Sequence, residues 1–222
     1  CETQTAYTLA LYFDLVPEML RTVFENRLLT LIHERNDHLS TGFVGTPLMC
    51  GILSDNGMDD LAWKLLLNED YPGWLHEIKL GATTVWERWN SILDDGTISG
   101  TSMNSMNHYA YGSVVEWMFR RIAGLNAGMA LPDGTQSAGC RYMEIAPVPH
   151  PALGFQETVY DSPAGEYKSS WKYTDPSHVE LSVTVPFGCT ASLTLPGSKD
   201  RGIIALDAGT YTYSCEPDPF PA

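Results

Sequence analysis

The chain has 222 residues, 44% of them hydrophobic and 11% aromatic, and a formal net charge of −14. That is enough apolar chain for one large domain or two small ones with a sizeable core, which excludes a disordered tail. The acidic balance argues against nucleic acid and against anionic membrane surfaces, since both demand clustered Lys and Arg.

The opening, CETQTAYTLALYFDLV, has neither a starting Met nor a signal peptide. It reads as the middle of a helix, with Ala6, Leu9, Ala10 and Phe13 at helical spacing. A piece of a longer protein is therefore expected. Pro17 ends this helix, because proline disfavours the helical conformation in the residue before it, and Pro17 can open the next. That second helix carries Met19, Leu20, Val23, Phe24, Leu28, Leu31 and Ile32 on one face. TGFVGTPLMCGILSDNG follows as a short apolar helix between Gly-rich turns. MDDLAWKLLLNED is another, with Leu61, Leu65 and Leu66 inward. A loop with Pro72 and Gly73 leads to GWLHEIKLGATTVWERW. The loop DDGTISGTSMNS then precedes a last helix, MNHYAYGSVVEWMFRRIAGL. The pattern predicts helix pairs with short connections.

After Gly128 the period changes from helical to alternating. Val179, Leu181, Val183 and Val185 alternate with polar residues, as do Tyr167, Ser169, Trp171 and Tyr173, and Cys189, Ala191, Leu193 and Leu195. The turns SPAG, DPSH, PFG, PGSKD and DAG separate these runs, and GTYTYSC closes the set. A small antiparallel β-sandwich is expected. The boundary falls in the small-residue stretch Leu125 to Gly139, giving a helical domain over 1–135 and a β-domain over 136–222.

Five cysteines are scattered, with no spacing that suggests zinc. They read as free thiols of a reducing, cytoplasmic compartment, although a disulfide within the last three stays open. No apolar run approaches the ~18 residues of a membrane helix.

GATTVWERWNS, Gly81 to Ser91, places Glu87 and Arg88 between Trp86 and Trp89. It is either the capped end of a packed helix or a pocket floor with a carboxylate held in it. As a direct neighbour, Arg88 cannot share a helical face with Glu87, so it should pair elsewhere. Asp94 and Asp95, and Glu69 and Asp70, are loop acids of the kind that are solvated or cap helices.

TGFVGTP, SDNG, NEDYPGWL, GATTVWERWNS and MNSMNHYAYGSVVEWMFR, in this order, resemble the C-terminal part of bacterial α-L-rhamnosidases of glycoside hydrolase family 78. SPAGEYKSSW resembles that family's C-terminal β-domain. The resemblance implies an α+β multidomain chain: part of an (α/α)6 six-hairpin toroid followed by an antiparallel β-sandwich. It also implies hydrolysis of terminal α-L-rhamnose with inversion, without a cofactor or metal. Glu87 matches the general base, and His108 matches a histidine lining the sugar pocket. Trp74, Trp86 and Trp89, with Phe43, Tyr109 and Tyr111, are candidates for stacking on the sugar, although core packing claims many such aromatics. The same holds for Trp171 and Tyr173 in the β-domain.

The family's general acid lies in an upstream motif that nothing here matches. The expected partners are thus a rhamnose-containing glycoside and the missing N-terminal half of the barrel, with a homo-oligomer left open and neither nucleic acid nor membrane involved. The chain alone is expected to be inactive. Two alternatives stay open: a non-catalytic carbohydrate-binding or scaffold protein, and a glycosidase of another (α/α)6 family. Glu87 facing an open pocket near His108 favours the rhamnosidase. A buried Glu87 paired to a cation favours the scaffold.

Overall fold

Local chemistry sets the helices of the first of two units, Cys1–Val115 and Glu116–Ala222. The computed structural model describes residues 1–100, 102–128, 131, 133–135, 137–197 and 202–219. Helix α1 (Gln4–Tyr12) starts at Thr3, whose hydroxyl accepts the Ala6 N–H. Helix α2 (Glu18–His33) starts directly behind Pro17. Next come α3 (Thr46–Asp55), with Pro47 in its first turn, and α4 (Asp59–Leu66), with Asp59 and Asp60 at its positive end. Helix α1 packs on α2 and α3, and α3 packs on α4. Leu61, Leu65 and Leu66 point inward as expected.

Two helical faces differ from the sequence reading. In α1 the buried side chains are Gln4, Thr8 and Leu11, one step round from Ala6, Leu9 and Ala10. The Gln4 amide explains the shift: it donates to the His38 carbonyl and accepts from the Ser40 N–H, tying α1 to the chain after α2. In α2 only Leu28 and Ile32 of the apolar stripe are buried, and Met19 is 87% exposed. Phe24 meets Tyr7 of α1, with ring centroids 5.0 Å apart, whereas Met19, Leu20 and Val23 are exposed.

Three short elements complete the helical set: α5 (Trp74–Lys79), α6 (Tyr109–Gly112) and α7 (Val114–Trp117), the last continued by a π-helical turn (Met118–Ile122). GATTVWERW is not the end of a packed helix, one of the two readings of that stretch. Helix α5 stops at Lys79, and WERW is irregular chain.

The second unit is built on two four-stranded sheets. Its strands are β1 (Leu125–Ala127), β2 (Tyr142–Ile145), β3 (Phe155–Ser162), β4 (Gly165–Asp175), β5 (His178–Val185), β6 (Thr190–Leu193), β7 (Ile204–Leu206) and β8 (Gly209–Cys215). One sheet runs β1-β2-β6-β7 and the other β3-β4-β5-β8. The pairings are antiparallel except β2 with β6, which is parallel. The alternation places Tyr167, Ser169 and Trp171 of β4, and Val179, Leu181, Val183 and Val185 of β5, in the interior.

Interior polar groups on β4 find backbone partners in the chain leading to the other sheet. Ser169 Oγ donates to the Ala123 carbonyl at 2.6 Å, and Trp171 Nε1 to the Ile122 carbonyl at 2.7 Å. Trp171 is thus core. Gly124, next in the chain, has φ of +75°, and a Cβ there would lie 2.2 Å from the backbone nitrogen of Pro147. Gly124→Ala is expected to cost at least about 2 kcal/mol, combining left-handed strain with a backbone clash. The drop should appear in the thermal midpoint of the transition that unfolds this unit.

All five cysteines are free thiols. Burial pushes the Cys50 thiol up to about 12. Among the described residues, no helix is long and apolar enough to cross a membrane. Thr101 of the DDGTISGTSMNS loop lies outside the described residues. So do Met129, Ala130, Pro132 and Gln136 of the expected boundary stretch, and Ser198, Lys199 and Asp200 of the PGSKD turn.

Candidate functional site

The site grows from the end of α5. Leu80 caps the helix and Gly81 follows with φ of +87°, a conformation that suits glycine. The Gly81 N–H reaches the Ile78 carbonyl and the Ala82 N–H reaches the Glu77 carbonyl, at 2.9 and 3.0 Å. These two bonds are the glycine stop signal of a helix, and they turn the chain sharply. The following residues, Thr83, Thr84 and Val85, are β-branched and suit extended chain.

Residues 84–87 then pair with residues 105–108. The Glu87 N–H donates to the Ser105 carbonyl at 2.9 Å, and the His108 N–H to the Val85 carbonyl at 2.8 Å. The Thr84 hydroxyl bonds the Met106 carbonyl. Glu87 and His108 are thereby anchored two residues apart along paired segments, about 7 Å of rise for extended backbone.

Glu87 is half-buried and lines a cleft of about 890 Å³, within the ~300–1,000 Å³ typical of small-molecule sites. Its Oε2 accepts the Ser105 N–H at 2.8 Å. Among the described residues, Oε1 accepts no hydrogen bond and no cation pairs with the carboxylate. Arg88 also lines the cleft, and its backbone N–H bonds Ser91 Oγ. The expected ion pair of Arg88 does not form among the described residues.

An aromatic block stands behind the carboxylate. Trp89 stacks on Tyr111 with centroids 3.9 Å apart and planes 10° from parallel, and Trp74 meets Trp89 edge-on at 5.4 Å. Both indole N–H groups are fixed: Trp89 Nε1 donates to the Thr41 carbonyl and Trp74 Nε1 to the Tyr111 carbonyl, each at 2.9 Å. Trp89, Tyr111 and Phe43 line the cleft, whereas Trp74 and Trp86 are buried and are not among its lining residues.

His108 caps α6. Its Nδ1 accepts the Ala110 N–H at 3.3 Å, which places the proton of the neutral ring on Nε2 and leaves Nε2–H as a donor. The ring stacks on Tyr109 and lies 6.1 Å, centroid to centroid, from the cleft-lining Phe43. His108 itself is not among the cleft-lining residues.

The loop acids lie elsewhere. Glu69 pairs with Lys79 at 2.5 Å. Asp95 accepts the Thr97 N–H within a tight turn, and Asp94 is exposed. The second carboxylate on the cleft is Glu34, engaged by Arg27 at 3.2 Å.

Glu77 is a feature the sequence reading passed over. It is only 3% exposed, and burial pushes its carboxyl up to about 8, so it carries a proton at neutral pH. The signal was present. Trp74, Glu77 and Gly81 fall on one helical face, so a buried Trp74 predicts a buried Glu77.

Both the sequence and the fold recur in known proteins. Residues 1–122 match the bacterial alpha-L-rhamnosidase 6 hairpin glycosidase domain, and residues 128–205 match the bacterial alpha-L-rhamnosidase C-terminal domain. An alpha-L-rhamnosidase of Formosa agariphila is 42% identical over 201 residues, covering 90% of this chain and 21% of its own length. One of Streptomyces avermitilis is 40% identical over 195 residues, covering 88% and 18%. The crystal structure of the Streptomyces avermitilis enzyme complexed with L-rhamnose superposes with a TM-score of 0.88 at 35% identity, over 97% of this chain and 22% of that one. That of the Aspergillus terreus enzyme superposes with a TM-score of 0.87 at 33% identity, over 96% and 24%. The chain thus spans about a fifth of the length of the relatives it matches. With its helical unit and the strands that follow both matched, the chain belongs to the bacterial α-L-rhamnosidase family.

Proposed function

We propose that this chain forms the base-bearing part of an inverting α-L-rhamnosidase, with Glu87 as the general base. The observation that carries the reading is the state of Glu87. One oxygen is held by the Ser105 N–H, and among the described residues the other has no hydrogen-bond partner and no cation pairs with the group. A general base needs that combination of fixed aim and a free lone pair. The scaffold alternative expects a buried carboxylate tied to a cation, and Glu87 is neither.

Inversion sets the geometry. Water attacks the anomeric carbon from the face opposite the leaving oxygen, and Glu87 takes the water's proton as the new bond forms. A second carboxyl group, ~6.5–9.5 Å away, protonates the leaving oxygen. Glu34, the other carboxylate on the cleft, is engaged by Arg27 at 3.2 Å and is not free to turn to a glycosidic oxygen. The acid is therefore assigned to the part of the six-hairpin domain outside this chain. His108 stands beside the cleft, its ring 6.1 Å from the cleft-lining Phe43, with Nε2–H as a donor for a sugar hydroxyl that reaches past that wall. Trp89, clamped between Tyr111 and Trp74, presents a rigid apolar edge, and Trp74 acts by holding it.

The test is stereochemical. Full-length protein given an aryl α-L-rhamnoside should release the sugar first as the β-anomer, seen by proton NMR before mutarotation. Release of the α-anomer would point to a covalent intermediate and remove the base role from Glu87.

A further inference from the structure

We propose that Glu77 is the positioning residue for Glu87, its buried carboxyl clamping the turn between α5 and the catalytic loop. The inference rests on the reading of Glu87 as the base.

Two contacts tie Glu77 to that turn. Its backbone carbonyl accepts the Ala82 N–H at 3.0 Å, which closes the helix stop. Its side-chain Oε2 faces the Trp86 N–H at 3.5 Å. Trp86 is the residue before Glu87, so one residue holds both ends of the five-residue excursion that delivers the base, the far end through its side chain. The Glu87 N–H and Oε2 then lock onto Ser105. Moving the Trp86 amide would move both contacts.

The energetics suit function better than stability. Oε1 of Glu77 is buried with no hydrogen-bond partner. An orphaned buried oxygen costs free energy, and an apolar side chain of similar shape removes that cost. A residue serving packing alone would be better as leucine. The Tyr111 phenol of α6 is electrically close to it: burial pushes Tyr111 up to about 12, an ionised Glu77 adding to the effect. No cation is bonded to Glu77 among the described residues, so the neutral acid is the working form. A neutral acid accepts the Trp86 N–H without adding a second negative charge beside the base.

Two variants of the full-length protein separate positioning from packing. Glu77→Gln keeps a neutral acceptor of the same shape. Glu77→Leu keeps the volume and removes the acceptor. The readouts are kcat and KM on an aryl α-L-rhamnoside, the melting temperature, and hydrogen exchange of the Ser105 amide, which reports the Glu87 contact without any chemistry. Glu77→Gln should keep kcat within about threefold and retain Ser105 protection. Glu77→Leu removes the orphaned Oε1 but leaves the buried Trp86 N–H without its acceptor, so the two effects offset and it should melt close to wild type. It should nevertheless lose about 30-fold or more in kcat, with KM little changed, since misplacement by ~1 Å can cost ~100-fold. Its Ser105 amide should exchange about tenfold faster.

Wild-type kcat and Ser105 protection in Glu77→Leu would overturn the proposal. So would a Glu77→Gln protein as impaired as Glu77→Leu. If Glu87→Gln retains full turnover, the base reading fails separately, and Ser105 exchange alone decides whether Glu77 sets the position of residue 87.

Discussion

Glu87→Gln in the full-length protein should lower turnover of an aryl α-L-rhamnoside by at least ~100-fold, the low end of what a general base contributes. The substitution is close to isosteric. The glutamine carbonyl can still accept the Ser105 N–H that Glu87 Oε2 accepts now, so the loop should keep its course. What disappears is the basic oxygen facing the cleft. Because the change acts on bond formation to water, kcat should fall while KM moves little. Asp94→Asn is the matched control: Asp94 is exposed, stands in the turn before Gly96, and is not among the residues lining the cleft, so its loss should leave kcat unchanged. Near-wild-type turnover in Glu87→Gln would eliminate the assigned role.

The features that were legible in the sequence are those decided within a few residues. Pro17 sets the break between α1 and α2. The period-two runs of β4 and β5 put Trp171 and Leu181 inside, where they face each other in register. The GATTVWERW and NHYAYG segments were recognisable as motifs, and the family they suggested is the one the chain belongs to. The conformation of WERW was not legible. Gly81 ends the helix locally, but the path of residues 84–87 is set by hydrogen bonds to residues 105–108, across a long intervening loop. Periodicity sees no such partner. The same limit explains α1, where one buried amide, Gln4, outweighs the apolar spacing of Ala6 and Leu9. In α2, Met19 and Val23 were read as inward-facing because they are apolar. Whether an apolar stripe is buried depends on what packs against it, and no described element reaches theirs.

The 222-residue chain alone should not hydrolyse rhamnosides at a useful rate. A glycosidic oxygen leaves poorly until it is protonated, and the protonating acid must stand across the sugar from the base. The acids within this chain are poorly suited. Glu69 and Asp70 sit in the exposed loop before Pro72, Asp94 and Asp95 in a hairpin turn, and Glu34, the one that does line the cleft, is tied up by Arg27 at 3.2 Å. Solubility should follow the same division. Leu15, Met19 and Val23 leave an apolar flank open at the α1–α2 end, and patches of this kind drive association when nothing covers them. The chain alone should therefore self-associate at concentrations where the complete six-hairpin domain stays dispersed. The measurement is an aryl α-L-rhamnoside assay beside light scattering, with and without the rest of the six-hairpin domain supplied in the same chain or as a partner. On the proposed reading the same missing part covers the flank and carries the acid, so supplying it should restore activity and dispersion together. Robust hydrolysis by the chain alone, lost in Glu87→Gln, would show that an acid within it suffices. Glu34 would then be the first carboxyl to examine, by Glu34→Gln, since it already lines the cleft that Glu87 lines.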